Sequence, residues 1–145
     1  MLFKKEYYFF LIFILIFVFK SINIYSKEII IISKINNEII TNIDLENQIK
    51  YLQITNSNLN NLSKKDILEV SKESLIREIL KKQEINKFIN IGEKSNLEGK
   101  LIKQHYKSLG FENKSDYKNF LISKGITLQL VKDKLITEQL WNTLI

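Results

Sequence analysis

Residues that could do chemistry are few in this chain. Its 145 residues include no cysteine and a single histidine, His105. The absence of cysteine excludes a thiolate nucleophile, a disulfide framework and any metal site built on cysteine. The spacings that mark phosphate-binding loops, dinucleotide-binding folds, zinc proteases and serine hydrolases do not occur either. We therefore predict no catalytic residue, no cofactor and no metal, and expect function to come from surfaces that bind partners.

The histidine and the best-placed carboxylates have structural interpretations. His105 lies on the apolar side of a predicted helix, so we expect a partly buried structural histidine. Three carboxylates follow a Thr or Ser at the three-residue spacing of a capping box, where they would meet free N–H groups and the positive end of the helix dipole. These helix-start residues are Asp44, Asp66 and Glu98.

The net charge is +6, from 22 basic and 16 acidic side chains. Lys4, Lys5 and Lys20 against Glu6 account for +2 of that charge, which leaves +4 on residues 27–145. A mildly basic helical domain can bind nucleic acid, but these lysines are scattered evenly and form no patch. We predict no nucleic-acid partner.

Residues 1–26 have the pattern of a signal peptide. A positive start is followed by an unbroken apolar run over residues 7–19, and Ser26 offers a small residue at the cleavage position. The run is shorter than the roughly 20 apolar residues that span a bilayer. We predict cleavage and a mature domain of residues 27–145. The alternative is an uncleaved anchor that extends past Lys20.

A β-hairpin is expected next. Residues 29–35 and 38–41 are rich in isoleucine and flank Asn36-Asn37, and asparagine tolerates the positive φ of a two-residue hairpin turn. An isolated hairpin needs a helix to cover it. Its isoleucine-rich outer strand should leave an apolar edge that something must cover.

Helices fill the rest of the chain. The first begins at Thr41 or Asn42, and an Asn-rich loop follows over residues 55–62. The predicted fold class is mainly α, with a short N-terminal β-hairpin packed on a bundle of about five helices. The second helix spans residues 63 to about 90, ends near Gly92 and is the predicted central helix of the core. Its apolar stripe has Leu68, Leu75 and Ile79 on one side, with Ile76 and Leu80 beside them. The third helix runs from Ser95 to Gly110, the fourth is capped by Ser115 and ended by Gly125, and the fifth is capped by Thr127.

The fifth helix has an irregular apolar pattern. Leu128, Val131 and Leu135 share one face, but the apolar residues after them scatter around the helix. A helix that is apolar all round is normally buried from several sides. We therefore expect a second copy of the chain, a C-terminal continuation or another partner to cover Leu140, Trp141, Leu144 and Ile145.

Three blocks of sequence resemble one family in order and spacing. KINNEIITNIDLENQI resembles the start of the N-terminal domain of SurA-like periplasmic chaperones, whose fold is also similar to the C-terminal domain of trigger factor. ESLIREILKKQEINKFINI is similar to the second helix of that domain, and DYKNFLISKGITLQLVKDKLITEQL to its closing helix pair. The resemblance covers residues 28–145.

The resemblance implies a periplasmic, ATP-independent chaperone that holds unfolded outer-membrane proteins as extended, aromatic-rich segments in an apolar crevice. Family members usually continue into parvulin-type prolyl isomerase domains that use paired histidines, and with one histidine that activity is not carried over. Two alternatives stay open: a truncated or split chaperone-isomerase, and a membrane-anchored relative held by residues 7–25. The predicted client contacts are Tyr51, Phe111, Tyr117 and Trp141.

Overall fold

The structure is a computed structural model that describes residues 28–88 and 95–145, so the predicted signal segment and Gly92 lie outside the described residues. Within these two ranges, an antiparallel hairpin precedes five α-helices, which confirms the predicted fold class. The elements are β1 (Ile31–Ile35), β2 (Glu38–Thr41), α1 (Asn42–Thr55), a 3-10 turn (Ser57–Asn61), α2 (Lys64–Phe88), α3 (Ser95–Ser108), α4 (Lys114–Ser123) and α5 (Leu128–Leu144).

The hairpin turns at Asn36-Asn37 as predicted. Asn36 has a φ of 53°, the left-handed conformation that a primed two-residue turn requires. A β-bulge between Ile31 and Ser33 interrupts the ladder. Ile40 of β2 is buried, and the Asn36 side chain donates to Gln83 of α2 at 2.8 Å. One isoleucine and one hydrogen bond therefore help to fix the hairpin to the helices.

Most helix ends follow the predicted local signals. Thr41 and Asp44 form a complete capping box at α1, and the Thr127 hydroxyl accepts from the Leu130 N–H at the start of α5. Gly110 and Gly125 take φ values of 85° and 71° just after α3 and α4. These conformations strain residues with a β-carbon, so glycine ends both helices.

The cap of α4 differs from the prediction. Asn113, not Ser115, precedes the helix, and its side-chain oxygen accepts from the Asp116 N–H at 2.9 Å. The Asn113 amide also donates to the Asp116 carboxylate at 2.8 Å. This pair of contacts starts the helix two residues earlier and leaves Ser115 in the first turn.

Two helices share the centre of the bundle. The predicted central helix, α2, packs against α1 and α5, and α5 packs against α2 on one side and α3 on another. The buried side chains of α5 point in directions that span most of the helix circumference at 100° per residue. They are Val131, Lys134, Ile136, Thr137 and Leu140.

The buried side of α2 also differs from the predicted stripe. Leu75 is buried as expected, but Leu68 and Leu80 are exposed. The other buried side chains of α2 are Ser71, Glu78 and Ile85, two of them polar. Helix α2 is therefore rotated so that a serine and a glutamate face the core.

The apolar core has two parts. The first lies between α3, α4 and the start of α5, and the second lies where α2 meets the end of α5. The buried members of the first are Ile102, Tyr106, Tyr117, Leu121, Ile126 and Val131; those of the second are Ile85, Ile136 and Leu140.

Candidate functional site

The most prominent apolar surface is the outer edge of the hairpin. β1 pairs with β2 on one side, and no strand among the described residues pairs with its other side. Ile29 and Ile31 are 66% and 65% exposed, and Ile30, Ile32 and Ile39 are exposed as well. We call Ile29–Ile32 together with Ile39 the isoleucine edge. Its exposure confirms the predicted apolar edge of the outer strand.

Asn42 holds the segment before β1 in an extended form. Its side-chain oxygen accepts from the Ile30 N–H at 2.9 Å, and its amide donates to the Glu28 carbonyl at 2.9 Å. The Asn42 backbone N–H also donates to the Ile30 carbonyl at 2.9 Å. One residue at the start of α1 thus ties residues 28–30 to the domain.

The ladder turns the backbone of Ile31 outward. Ile31 lies opposite Thr41, and the adjacent bond joins Asn42 N–H to Ile30 C=O. That pattern makes Ile31 and Thr41 a non-hydrogen-bonded pair, so the N–H and C=O of Ile31 point away from β2. The edge therefore offers a backbone donor and acceptor beside exposed isoleucine side chains. This arrangement can pair with an added extended segment.

The four predicted client contacts do not form one surface. Tyr51 and Phe111 are half-buried and pack against the core cluster that contains Tyr117, whereas Trp141 packs against the other cluster. Tyr117 is 0% exposed, with its ring among those of Tyr106, Phe111 and His105. Tyr117 is therefore a core residue in this structure.

The end of α5 is largely covered by the chain itself. Leu140 is 5% exposed and packs with Ile85 and Ile136, and Trp141 and Leu144 are half-buried against the same cluster. Of the four residues expected to need outside cover, only Ile145, at 83%, is strongly exposed. The scattered apolar pattern is explained in large part by burial between α2 and α3, and the outside partner stays a prediction.

A charged network that the sequence analysis missed lies in the core. Lys134 of α5 pairs with Glu78 of α2 and donates to Gln48 of α1, and all three side chains are buried. Glu78 also accepts from Lys82 at 2.6 Å, and Gln48 donates to Ser74 at 3.0 Å. The network joins three helices through 56 and 86 residues of sequence separation, so no local spacing indicates it.

The charges of Glu78 and Lys134 each oppose the effect of burial on the other's pKa. Burial alone raises the pKa of Glu78, but the ammonium groups of Lys134 and Lys82 outweigh it and hold that pKa below its usual range. Burial lowers the pKa of Lys134, and Glu78 opposes this only in part. The Lys134 ammonium also lies 5.2 Å from the centroid of the Tyr51 ring. Burial and the charges of Glu78 and Glu138 raise the pKa of Tyr51 to about 12.

Two adjoining cavities lie beside the network, with volumes of about 320 and 270 Å³. Asp44, Leu75 and Lys82 line both. The first extends to Lys134 of α5, and the second extends to Ile40 of β2. Charged side chains line both cavities, so neither matches the apolar crevice that the resemblance implies.

His105 is partly buried, as the sequence analysis expected. Its Nε2 atom and the Tyr117 hydroxyl are both buried without a hydrogen-bond partner among the described residues. Burial lowers the pKa of His105, and burial also raises the pKa of Tyr117. The two rings meet edge to face with centroids 5.8 Å apart. Both groups belong to the aromatic core.

Residues 28–88 and 95–145 contain no group of three His, Asp or Glu side chains placed to hold a metal ion. In the same part of the chain, no helix combines the length and apolarity needed to cross a membrane.

Comparison with known proteins found no match. No protein-family model, no curated protein and no solved structure matches this chain.

Proposed function

We propose that this chain is a periplasmic, ATP-independent chaperone module that holds unfolded outer-membrane proteins, as its resemblance to the N-terminal domain of SurA-like chaperones implies. The observation that carries the proposal is the isoleucine edge, an unpaired strand edge with exposed apolar side chains. The signal-peptide pattern of residues 1–26 supports export.

An extended segment of an unfolded protein fits this edge. Outer-membrane proteins form β-barrels whose strands alternate apolar and polar residues, so their unfolded chains contain many segments suited to strand addition. Backbone bonds do not depend on sequence, which allows one edge to accept many clients. Each isoleucine that such a segment covers contributes about 1 kcal/mol. Association costs at least ~4 kcal/mol, so the binding is weak and reversible, as holding a client requires.

The test begins with the complete sequence expressed in a bacterial host. The mass of the purified protein reports whether residues 1–26 are removed. Light scattering then follows the aggregation of an outer-membrane protein diluted from urea, with and without the chain at equal concentration. We expect the chain to suppress scattering without added nucleotide.

Matched variants locate the surface. The double variant Ile29→Ser/Ile31→Ser should lose most of the suppression, because it removes the two most exposed apolar side chains of the isoleucine edge. Ile122→Ser is the control, since Ile122 is 60% exposed on α4, away from the hairpin. Circular dichroism checks that each variant is folded. A folded chain that leaves scattering unchanged, or equal losses in both variants, would contradict the proposal.

A further inference from the structure

We propose that a cavity between α1 and α4 binds the carboxyl-terminal residue of a peptide, taking up both its free carboxylate and its apolar side chain. The cavity has a volume of about 300 Å³. Pockets for small ligands start at roughly 300 Å³, so this one has room for a single terminal residue. The residues that line it come from α1, the 3-10 turn, α4 and the residue after α4: Lys50, Gln53, Ile54, Asn60, Phe120 and Lys124.

The polar lining of this cavity consists of hydrogen-bond donors. Lys50 and Lys124 contribute ammonium groups, and Gln53 and Asn60 contribute amides. No carboxylate of the described residues lines the cavity. Ammonium and amide N–H groups without an accompanying acid suit an anion, because a hydrogen bond to a charged acceptor is stronger than one to a neutral acceptor.

Three of these four polar side chains have no polar partner within the part of the chain that the structure describes. Gln53 and Asn60 make no side-chain hydrogen bond there, and Lys124 makes neither a hydrogen bond nor an ion pair. The buried pair beside the other two cavities, Glu78 and Lys134, is by contrast bonded to itself. The cavity between α1 and α4 therefore keeps its donors available to a ligand.

The charge around the cavity fits a ligand with one negative charge. Lys50 is already shared, since its ammonium lies 2.9 Å from the Glu46 carboxylate and donates to the Gly125 carbonyl at 3.4 Å. Lys50 and Glu46 together are neutral, so Lys124 gives the site one net positive charge. A carboxylate carries one negative charge and matches this value, whereas a phosphate ester carries about 1.5 to 2 at pH 7.

The remaining lining favours a peptide end over a simple acid. Ile54 and Phe120 offer apolar surface, and the Phe120 ring is held against Phe111 with centroids 5.0 Å apart. The side-chain amides of Gln53 and Asn60 can donate and accept, so they can pair with the peptide groups that precede the last residue. Capture of a terminal carboxylate is one of the recurring modes of peptide recognition.

An NMR titration measures the binding and locates it. The probe is acetyl-alanyl-alanyl-phenylalanine with a free carboxylate, added to the isotope-labelled chain while the backbone amide shifts are followed. We expect the largest shifts at the residues that line the cavity. The same peptide with an amidated carboxyl end has no charge to offer Lys124, so it should bind at least roughly fivefold more weakly.

Matched lysine variants test the role of the unpaired ammonium. Lys124→Gln should weaken binding of the free acid roughly fivefold and leave binding of the amidated peptide unchanged. Lys118→Gln is the control, because Lys118 is exposed on α4, does not line the cavity and loses the same charge. Lys124→Arg keeps the charge and should keep most of the binding. Thermal melting verifies that each variant is folded.

Two further probes identify the source of the carboxylate. N-acetylphenylalanine has the same carboxylate and ring but lacks the preceding residues, so it should bind several-fold more weakly than the tripeptide. A tripeptide that ends in glycine offers no side chain to Ile54 and Phe120 and should also bind more weakly. Equal binding of N-acetylphenylalanine would contradict the assignment to a peptide, and equal binding of the glycine peptide would contradict the apolar contact.

Three results would overturn the inference as a whole: equal affinities for the free and amidated peptides, shifts centred away from the cavity, or equal losses in Lys124→Gln and Lys118→Gln. The cavity shares no residue with the isoleucine edge, so the inference goes beyond the proposed function. A chain that suppresses aggregation but does not distinguish the two peptides contradicts this inference alone. A chain that distinguishes them but does not suppress aggregation contradicts the proposed function alone.

Discussion

Replacing Glu78 with leucine removes the carboxylate that Lys134 pairs with at the junction of α1, α2 and α5. Both side chains of this pair are almost completely buried, so water cannot take the place of the lost carboxylate. Lys134 would keep the Gln48 oxygen and the face of the Tyr51 ring, neither of which carries a full charge. Breaking a buried pair from one side typically costs about 3–5 kcal/mol. We expect a loss in that range from Glu78→Leu.

The reverse replacement should cost less. Lys134→Met leaves Glu78 with Lys82, whose ammonium lies 2.6 Å from it and is partly exposed. Because one cation remains, we expect a loss of about 2 kcal/mol. The double variant leaves no unpaired buried charge, so its cost should be about 1 kcal/mol or less. The double-mutant cycle would then give a coupling energy of at least about 4 kcal/mol.

Urea unfolding at pH 7, followed by circular dichroism, measures all four free energies. The neighbouring pair Lys81–Glu138 also joins α2 to α5, but it is partly exposed, and Lys81→Met should cost about 1 kcal/mol or less. If the free-energy losses of the two single variants simply add in the double variant, the two side chains are not coupled and the prediction is wrong. A Glu78→Leu cost no greater than that of Lys81→Met would also refute it.

Three further predictions concern the aromatic core and the glycines. Tyr117→Phe removes a buried hydroxyl that has no hydrogen-bond partner among the described residues, so stability should stay equal or rise by about 1 kcal/mol; a clear fall in the melting temperature would contradict this. Burial lowers the pKa of His105 below its usual 6.5, so the folded state binds the proton less well than the unfolded state, and the free energy of unfolding should fall as pH drops below about 6.5. Urea unfolding at pH 7.5 and 5.5 should show a smaller fall in His105→Leu than in the native chain, and equal falls would exclude this histidine as the cause. Gly125→Ala should cost about 1 kcal/mol, because φ is 71° and the new β-carbon would lie 3.1 Å from the Lys50 ammonium. Gly99→Ala, inside α3 with open space around it, should instead gain about 0.5–1 kcal/mol in the same thermal melts; a gain at both glycines would show that the φ of Gly125 is not costly.

The features predictable from sequence are those decided within a few residues. The capping box of Thr41 and Asp44, the asparagine turn, and the glycines after α3 and α4 all depend on local backbone conformation. The cap of α4 was missed although it is local. Asn113 and Ser115 can both accept a backbone N–H, and Asp116 three residues after Asn113 decides between them.

The features that escaped prediction depend on residues distant in sequence. In a helical sequence, a glutamate normally indicates the side of the helix that faces solvent. Glu78 faces the core because Lys134 of α5, which is distant in sequence, pairs with it there. The same limit applies to Leu140, whose cover comes from Ile85 on α2. Among the site residues, the isoleucine edge could be predicted, because a hairpin of two strands leaves the outer side of β1 without a neighbouring strand. The burial of Tyr117 could not, because apolar core and apolar surface have the same pattern in one dimension.

The isoleucine edge contributes little to the stability of the isolated chain. Ile40 is the hairpin's buried isoleucine, and serine or threonine at the exposed positions would preserve the strand while reducing the risk of aggregation. Instead, Asn42 uses both its side-chain oxygen and its amide to hold the apolar segment extended. A segment whose only requirement was not to aggregate would not need these two side-chain hydrogen bonds to keep it extended. An edge that is apolar, extended and fixed is suited to being covered, and a segment that pairs with its backbone would itself be extended.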